Sequence, residues 1–356
     1  MRYLDLGTVG AEESQAVYHA LADLMQPGDP VTLVTVSPTS PYVCVGYHQV
    51  ASREVDRAYC DAHAIPVGRR MVGGGAVWLD HDQVFWHLIM PHRNLPIDSL
   101  YRQFLQAPVK AYQRMGISAE HRPVNDIVVG ARKIGGTGAS TMGNADLLVG
   151  SIMMDFNTEA MARVLNVPSE KFRDKMVSSL HEYMTTVARE LGAGAPTRAE
   201  ATRLLVEQFA EVLEEDVCQG ALTDEEEARL SFYAHHLFDP AFVYRNEGYF
   251  QPGVKIRDGV RLLEGLYKAP GGLIRVVWRE AEGTIDDVVI GGDFFVEPAD
   301  ALARLERQLK GVPAEREALQ AAILAVWDTV DAPGVQASDV VEAFSQGKIM
   351  SPAALV

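Results

Sequence analysis

Between Val31 and Asp155 the chain is cut into short apolar runs, and that cutting restricts its fold more than any other feature. Val31 to Val36, Tyr42 to Gly46, Gly75 to Leu79, Val84 to Met90, Ile127 to Val129 and Leu147 to Asp155 read as strands, several alternating with period two. Helical spacing intervenes at Glu13 to Met25 and at Leu100 to Met115. Strands and helices mixed without a strict βαβ repeat predict an α+β domain around a mixed β-sheet. Helices are also predicted at Glu159 to Leu165, Ser169 to Met176 and Thr197 to Leu213, the last with Thr197 as N-cap. A loop-rich passage from Phe238 to Pro252 leads into new strands at Leu262 to Tyr267, Gly272 to Val277 and Ile285 to Ile290. Helices at Ala299 to Lys310, Ala314 to Val330 and Ala337 to Phe344 complete a second, small α/β domain. The length of 356 residues also exceeds what one hydrophobic core usually serves, so residues 1–240 and 241–356 are expected to be separate domains.

Charge and composition exclude several functions. A formal net charge of -16 argues against a nucleic acid partner, which needs clustered Lys and Arg. The acidic stretch from Glu207 to Glu227 reads as a solvated helix face or loop. No run approaches the roughly 18 apolar residues of a membrane span, and Met1-Arg2-Tyr3-Leu4-Asp5 lacks the order of a signal peptide. Cys44, Cys60 and Cys218 are too scattered for a disulfide framework or a zinc knuckle, so a cytoplasmic protein is expected.

Two segments carry candidate chemistry. In Gly68-Arg69-Arg70-Met71-Val72-Gly73-Gly74-Gly75-Ala76-Val77, three glycines without Cβ atoms let backbone N–H groups approach an anion, with Arg70 adding a permanent charge. The segment is neither a Walker loop nor a dinucleotide fingerprint, and a tight turn without a ligand also accounts for it. In Pro123-Val124-Asn125-Asp126-Ile127-Val128-Val129-Gly130-Ala131-Arg132-Lys133, a turn at Gly130 forms a hairpin. It brings a carboxylate and an ammonium together ahead of a second glycine-rich loop, Gly135-Gly136-Thr137-Gly138, although lysines on hairpins are more often plain surface residues.

Together these segments resemble the lipoate-protein ligases, within the wider biotin and lipoate ligase fold. The resemblance runs in order from Met1 to Arg189: Arg69-Arg70 with the triple glycine and Ala76-Val77, then Asn125-Asp126-Ile127-Val128-Val129, then Arg132-Lys133-Ile134. It continues through Gly150-Ser151-Ile152-Met153-Met154-Asp155 and Val164-Leu165-Asn166-Val167-Pro168. Lys268-Ala269-Pro270-Gly271-Gly272 and Gly291-Gly292-Asp293-Phe294-Phe295 are similar to the family's C-terminal accessory domain, which assists adenylation. Two departures stand out. The family's aromatic-His-Asp is replaced by Trp78-Leu79-Asp80-His81, and Gly135-Gly136-Thr137-Gly138 replaces a more hydroxyl-rich loop.

The resemblance implies an ATP-dependent enzyme that converts lipoate to lipoyl-adenylate and passes the lipoyl group to a lysine of an acceptor. That acceptor would be a lipoyl domain, the glycine-cleavage carrier or a specialised lipoate-binding protein. Lys133 would be catalytic, lying between the acyl carbonyl and the α-phosphate. Arg70, Gly73, Gly74, Gly75, Ala76, Asn125, Gly135, Gly136, Thr137, Gly138, Gly150 and Ser151 would bind lipoate and ATP, and Asp126 would hold Mg²⁺. Rival readings are an octanoyl or lipoyl transferase of the same fold, which needs an activated thiol near the lysine, and a non-catalytic lipoate-binding relative. A biotin ligase is disfavoured because its Gly-Arg-Gly-Arg type of loop is missing.

Overall fold

A computed structural model describes residues 1–167, 169–245 and 260–349. Pro168, at the end of the Val164 to Pro168 motif, and the part of the Phe238 to Pro252 passage beyond 245 lie outside the described residues. The chain divides into two compact units. The first holds Met1–Val45, Arg53–Val72 and Ala76–Val243; the second holds Gly46–Ser52, Gly73–Gly75 and Tyr244–Val356.

Eleven strands of the first unit are β1 (Arg2–Val9), β2 (Thr32–Pro38), β3 (Tyr42–Val45), β4 (Val67–Arg69), β5 (Val77–Leu79), β6 (Gln83–Pro91), β7 (Glu120–Arg122), β8 (Asp126–Val129), β9 (Arg132–Met142), β10 (Ala145–Met153) and β11 (Cys218–Gln219). Eight form one sheet in the order β11-β1-β2-β6-β10-β9-β8-β7, and β4-β3-β5 form a small second one. Pairing is parallel at β11, β1 and β2 and antiparallel from β2 onward, so the large sheet is mixed as expected. Alternation in β6 sends Val84, Trp86, Leu88 and Met90 into the main core against Leu100, Phe104, Tyr112, Leu205 and Phe209 of three helices. The intervening His87 meets Tyr18 of the helix Ala11–Leu24, with ring centroids 4.7 Å apart. A strand covered on both sides is apolar almost throughout, which is why Val84 to Met90 shows as a continuous run.

Two expectations need correcting here. The helix read over Leu100 to Met115 is two helices, Ile97–Phe104 and Gln106–Arg114. Pro108 has no N–H for the Phe104 carbonyl and its ring crowds that position, so the helical pattern of side chains persists while the backbone breaks at Leu105. The strand read from Gly75 begins only at Val77. The expected Thr197 cap is present: its hydroxyl accepts from the Glu200 N–H, and Glu200 answers with a capping-box bond. The acidic stretch divides between the end of that helix, a loop and the first turn of a helix Asp224–Phe238, where Glu226 pairs with Arg2 at 2.6 Å.

The second unit has its own sheet, β12 (Val260–Ala269), β13 (Gly272–Ala281), β14 (Thr284–Gly292) and β15 (Lys348–Ile349), in the order β14-β13-β12-β15. Helices Ala301–Leu309, Arg316–Trp327 and Ala337–Ser345 pack on it through Leu302, Leu305, Ile323, Val340 and Phe344. This is the small C-terminal α/β module that the strand and helix pattern leads one to expect. The hairpin turn after Lys268 is fixed within this unit, because Gly271 donates its N–H to the Gly334 carbonyl at 2.7 Å.

Candidate active site

The hairpin of β8 and β9 is built as the sequence suggests, and then bent by one residue. Val129 pairs with Arg132 across a two-residue loop in which Gly130 takes φ +59°, a conformation that favours glycine. Val128 pairs with Lys133, but Ile127 pairs with Gly135, so Ile134 is an extra residue, a β-bulge. Its side chain is fully buried in the main core and its carbonyl accepts the Tyr112 hydroxyl at 2.8 Å. In a regular strand Lys133 and Gly136 would face opposite ways. The bulge puts them on one face, and Asp126, paired with Gly136, shares it.

Side chains converge there. Lys133 Nζ lies 2.6 Å from Asp126 Oδ1. Asp126 Oδ2 accepts from Arg122 at 2.7 Å and from the Tyr183 hydroxyl at 3.2 Å, while Arg122 also donates to the Tyr183 oxygen at 2.7 Å. Burial works against the charge on Asp126, but Lys133 and Arg122 outweigh it and hold its carboxyl below the usual range. A Cβ on Gly136 would stand 3.4 Å from Lys133 Nζ, so this glycine leaves the lysine its place. Asn125 and Thr137 lock the preceding residue: the Asn125 amide donates to the Thr137 carbonyl at 2.6 Å, and the Thr137 hydroxyl donates to the Asn125 carbonyl at 2.7 Å.

Gly135, Gly136, Thr137 and Gly138, expected to form an anion-binding loop, lie inside β9 between β8 and β10. Their backbone runs in two ladders, with Gly135 and Gly136 opposite Ile127 and Asp126, and Thr137 and Gly138 opposite Gly150 and Val149. Gly150 answers to packing, since a Cβ there would fall 2.5 Å from Trp86 Cζ2. Ser151 donates to Gln83 Oε1 at 3.1 Å.

Arg69 and Arg70 have separate tasks. Arg69 is fully buried, with Nε donating to the Val243 carbonyl at 3.0 Å and the Phe242 carbonyl at 3.2 Å. Arg70 is half-buried and donates to the Cys44 carbonyl at 3.2 Å. His19, absent from the sequence-level candidates because it reads as one more position on a helix face, accepts the Met71 N–H at 3.0 Å and faces the Gln15 carbonyl through Nδ1. That pair of bonds requires the neutral Nδ1–H tautomer, and it anchors the chain just after Arg70. The glycine triplet is described with the second unit: Gly74, at φ +92°, donates its N–H to the Phe294 carbonyl at 3.3 Å, so this amide serves the fold. Ala76 opens the segment that returns to the first unit.

Residues 11–210 match the family model of the lipoyl protein ligase A/B catalytic domain. The chain belongs to the lipoate-protein ligase family. Residues 267–344 match a second model, the bacterial lipoate protein ligase C-terminus. Lipoate-protein ligase A subunit 1 of Thermoplasma acidophilum is 29% identical over 210 residues, which are 56% of this chain and 78% of that protein. Octanoyltransferase LipM of Kyrpidia tusciae is 29% identical over 254 residues, 63% of this chain and 91% of that protein. A chain from the structure of a bi-partite lipoate protein ligase and its E2 lipoyl domain, also from Thermoplasma acidophilum, has a TM-score of 0.64 at 28% identity. That match covers 71% of this chain and 98% of the other.

The site residues do not fit a resident Mg²⁺. Both Asp126 oxygens face cations or a hydroxyl, and among the described residues no three His, Cys, Asp or Glu side chains are grouped to hold a metal. A divalent ion arriving with nucleotide phosphates would have to compete with Lys133 and Arg122 for Asp126. His81, in the segment that departs from the family pattern, is exposed beside Asp82, while Asp80 accepts the Trp78 indole N–H at 2.7 Å.

The buried histidines give this ligase-family domain an expected acid sensitivity. Burial pushes His19 and His87 down to about 3, and His87 Nδ1 has no hydrogen-bond partner among the described residues. Below the ordinary histidine pKa the unfolded chain takes up these two protons and the folded chain does not, so stability falls as pH drops from about 6.5 towards 3. Each histidine costs about 1.4 kcal/mol per pH unit in that window. Urea midpoints at pH 6.5 and 4.5 measure the slope, and His87→Leu should remove about half of the histidine contribution. An unchanged slope in that variant would show that His87 has no part in the acid limit.

Proposed function

We propose that this chain is an ATP-dependent lipoate-protein ligase that forms lipoyl-adenylate and transfers the lipoyl group to a lysine of an acceptor protein. The reading is carried by the second unit, which matches a ligase C-terminus. The Kyrpidia octanoyltransferase, by contrast, is covered to 91% of its length by only 63% of this chain. In the Thermoplasma protein, described as bi-partite, the ligase is divided, whereas here both models match one chain. We take residues 1–240 as the catalytic domain and 241–356 as the accessory domain.

In the first half-reaction a lipoate carboxylate oxygen attacks the α-phosphorus of ATP, and the bond to pyrophosphate breaks. Two anions must meet, and the Lys133, Arg122 and Asp126 cluster offers one net positive charge. In the second, the acceptor amine attacks the acyl carbon, AMP leaves, and Lys133 would stabilise the carbonyl oxygen as it becomes an oxyanion. Arg70 is assigned to the anionic groups of lipoate or ATP, and the acceptor to the class of lipoyl domains, as in the Thermoplasma system.

The transferase reading needs an accessible, activated thiol, and the cysteines give it little support. Cys44 and Cys60 are buried, and burial raises both thiols, Cys60 to about 11. Cys218 is exposed on β11, and four strands separate it from β9 in the sheet, a distance of about 24 Å at the usual strand spacing. The deciding experiment is lipoate-dependent ATP–pyrophosphate exchange, with intact mass of an apo-lipoyl domain as the second readout. Exchange together with an ATP-dependent lipoyl mass increase is expected. Acyl transfer from an octanoylated carrier without ATP, and no exchange, would replace this proposal with the transferase.

A further inference from the structure

The lysine assigned to catalysis sits on a carboxylate whose other oxygen is pinned by a hydroxyl 57 residues away in sequence. Asp126 Oδ1 faces Lys133 Nζ, while Oδ2 takes the Tyr183 hydroxyl and the Arg122 guanidinium. Arg122 also lies over the Tyr183 ring, 5.6 Å from its centroid. Tyr183 is 45% exposed, so burial does not account for where it sits. It ends the helix Glu170–Tyr183, and the chain just beyond is tied to the lysine itself, with the Thr185 N–H donating to the Lys133 carbonyl at 2.8 Å. Tyr183 has no part in the chemistry proposed above, Arg122 enters it only as one charge of the cluster, and no motif in the sequence singles out either residue.

We propose that Tyr183, together with Arg122, is a positioning residue for Lys133: it holds one oxygen of Asp126 so that the other fixes the lysine ammonium above Gly136. A carboxylate rotates freely about its last bond, and its two oxygens are chemically equal. Two donors on Oδ2 remove that freedom and leave Oδ1 to the lysine. Arg122 also offsets the Asp126 charge, so Lys133 keeps its field for an incoming anion instead of spending it on its partner. The shifts agree with this arrangement: the bond to Asp126 raises the Arg122 guanidinium, and burial, then the Asp126 charge, raise the Tyr183 phenol. At so exposed a site the Tyr183 bond adds little to stability. Its effect is on geometry, where an error of about 1 Å is costly to rate.

The proposal rests on the assignment of Lys133 as the catalytic lysine, so its test has one arm that needs no ligase activity. In the first arm, adenylation is followed by pyrophosphate exchange in wild type, Tyr183→Phe, Asp126→Asn and the double variant. Tyr183→Phe should lower kcat about tenfold, with KM for lipoate and ATP moving less than about twofold and the melting temperature unchanged. In the Asp126→Asn background the same change should cost less than about twofold, because Tyr183 acts through Asp126. Equal losses in both backgrounds, or an effect confined to KM, would overturn the proposal. In the second arm, the full-length protein without substrates is treated briefly with an N-hydroxysuccinimide ester, and labelling of Lys133 is read by peptide mass spectrometry against Lys110 as internal reference. Tyr183→Phe should label Lys133 several-fold faster than wild type, and no faster than Asp126→Asn alone when the two are combined. Identical labelling in wild type and Tyr183→Phe would show that the hydroxyl does not hold the lysine. Altered labelling in a protein without exchange activity would sustain the positioning role and sink the ligase reading instead.

Discussion

Lys133→Ala is expected to lower lipoate-dependent pyrophosphate exchange by at least about 1,000-fold and to lower transfer from supplied lipoyl-adenylate by a similar factor, since one charge serves both steps. The fold should survive. Lys133 is half-buried and, among the described residues, its side chain is held by one ion pair, and its removal leaves Asp126 still held by Arg122 and Tyr183. Lys133→Arg should not rescue activity: the longer, planar guanidinium cannot keep a point charge in the space left by Gly136. The neighbouring Arg132 is the control. It faces Glu190, at 2.8 Å, and not the Asp126 cluster, so Arg132→Ala should cost less than about tenfold. Exchange by Lys133→Ala within tenfold of wild type would remove the lysine from the mechanism, and loss of exchange with intact transfer would confine it to activation.

What the sequence showed and what it hid follow from the range of the interactions. The β8–β9 hairpin was legible because Gly130 directly after the apolar run Ile127 to Val129 is a local turn signal, and so was the Thr197 cap, whose partner Glu200 is three residues on. The bulge was not legible. Ile134 is an ordinary strand residue, and only pairing with β8 shows that it is the extra one. Misreading Gly135 to Gly138 as a loop came from the same source: glycine argues for a turn by composition, but here it makes room for Lys133 inside a strand and for packing against Ile127. Strand β1 was missed because Leu6 and Gly7 interrupt its alternation where the pairing with β2 slips. Tyr183 and His19 were invisible as site residues, since each acts through a partner distant in sequence.

Ending the chain at Val243 should reduce adenylation by at least about 100-fold while leaving transfer from supplied lipoyl-adenylate within about tenfold, because activation needs an exactingly placed phosphate loop and transfer does not. The first unit keeps its main core in this fragment, so it should stay folded. Two short segments would lose their partners. Gly73–Gly75 belongs to the second unit, where Gly74 donates to the Phe294 carbonyl and a Cβ on Gly73 would stand 2.7 Å from that oxygen. Gly46–Ser52 belongs there too: the Gly292 N–H donates to the His48 carbonyl at 3.2 Å, Arg245 donates to the Tyr47 carbonyl at 2.6 Å, and Val50 packs with Val277 and Val289. Without these contacts the glycine triplet, which the family resemblance assigns to anion binding, gains the full conformational freedom of three residues lacking Cβ atoms. Far-UV circular dichroism and a cooperative melt would establish that the fragment is folded, and pyrophosphate exchange and transfer would then be measured separately. A folded fragment that adenylates lipoate as fast as the whole chain would free the first unit of any need for the second. Failure of both half-reactions in a folded fragment would move the role of residues 244–356 from activation to acceptor docking.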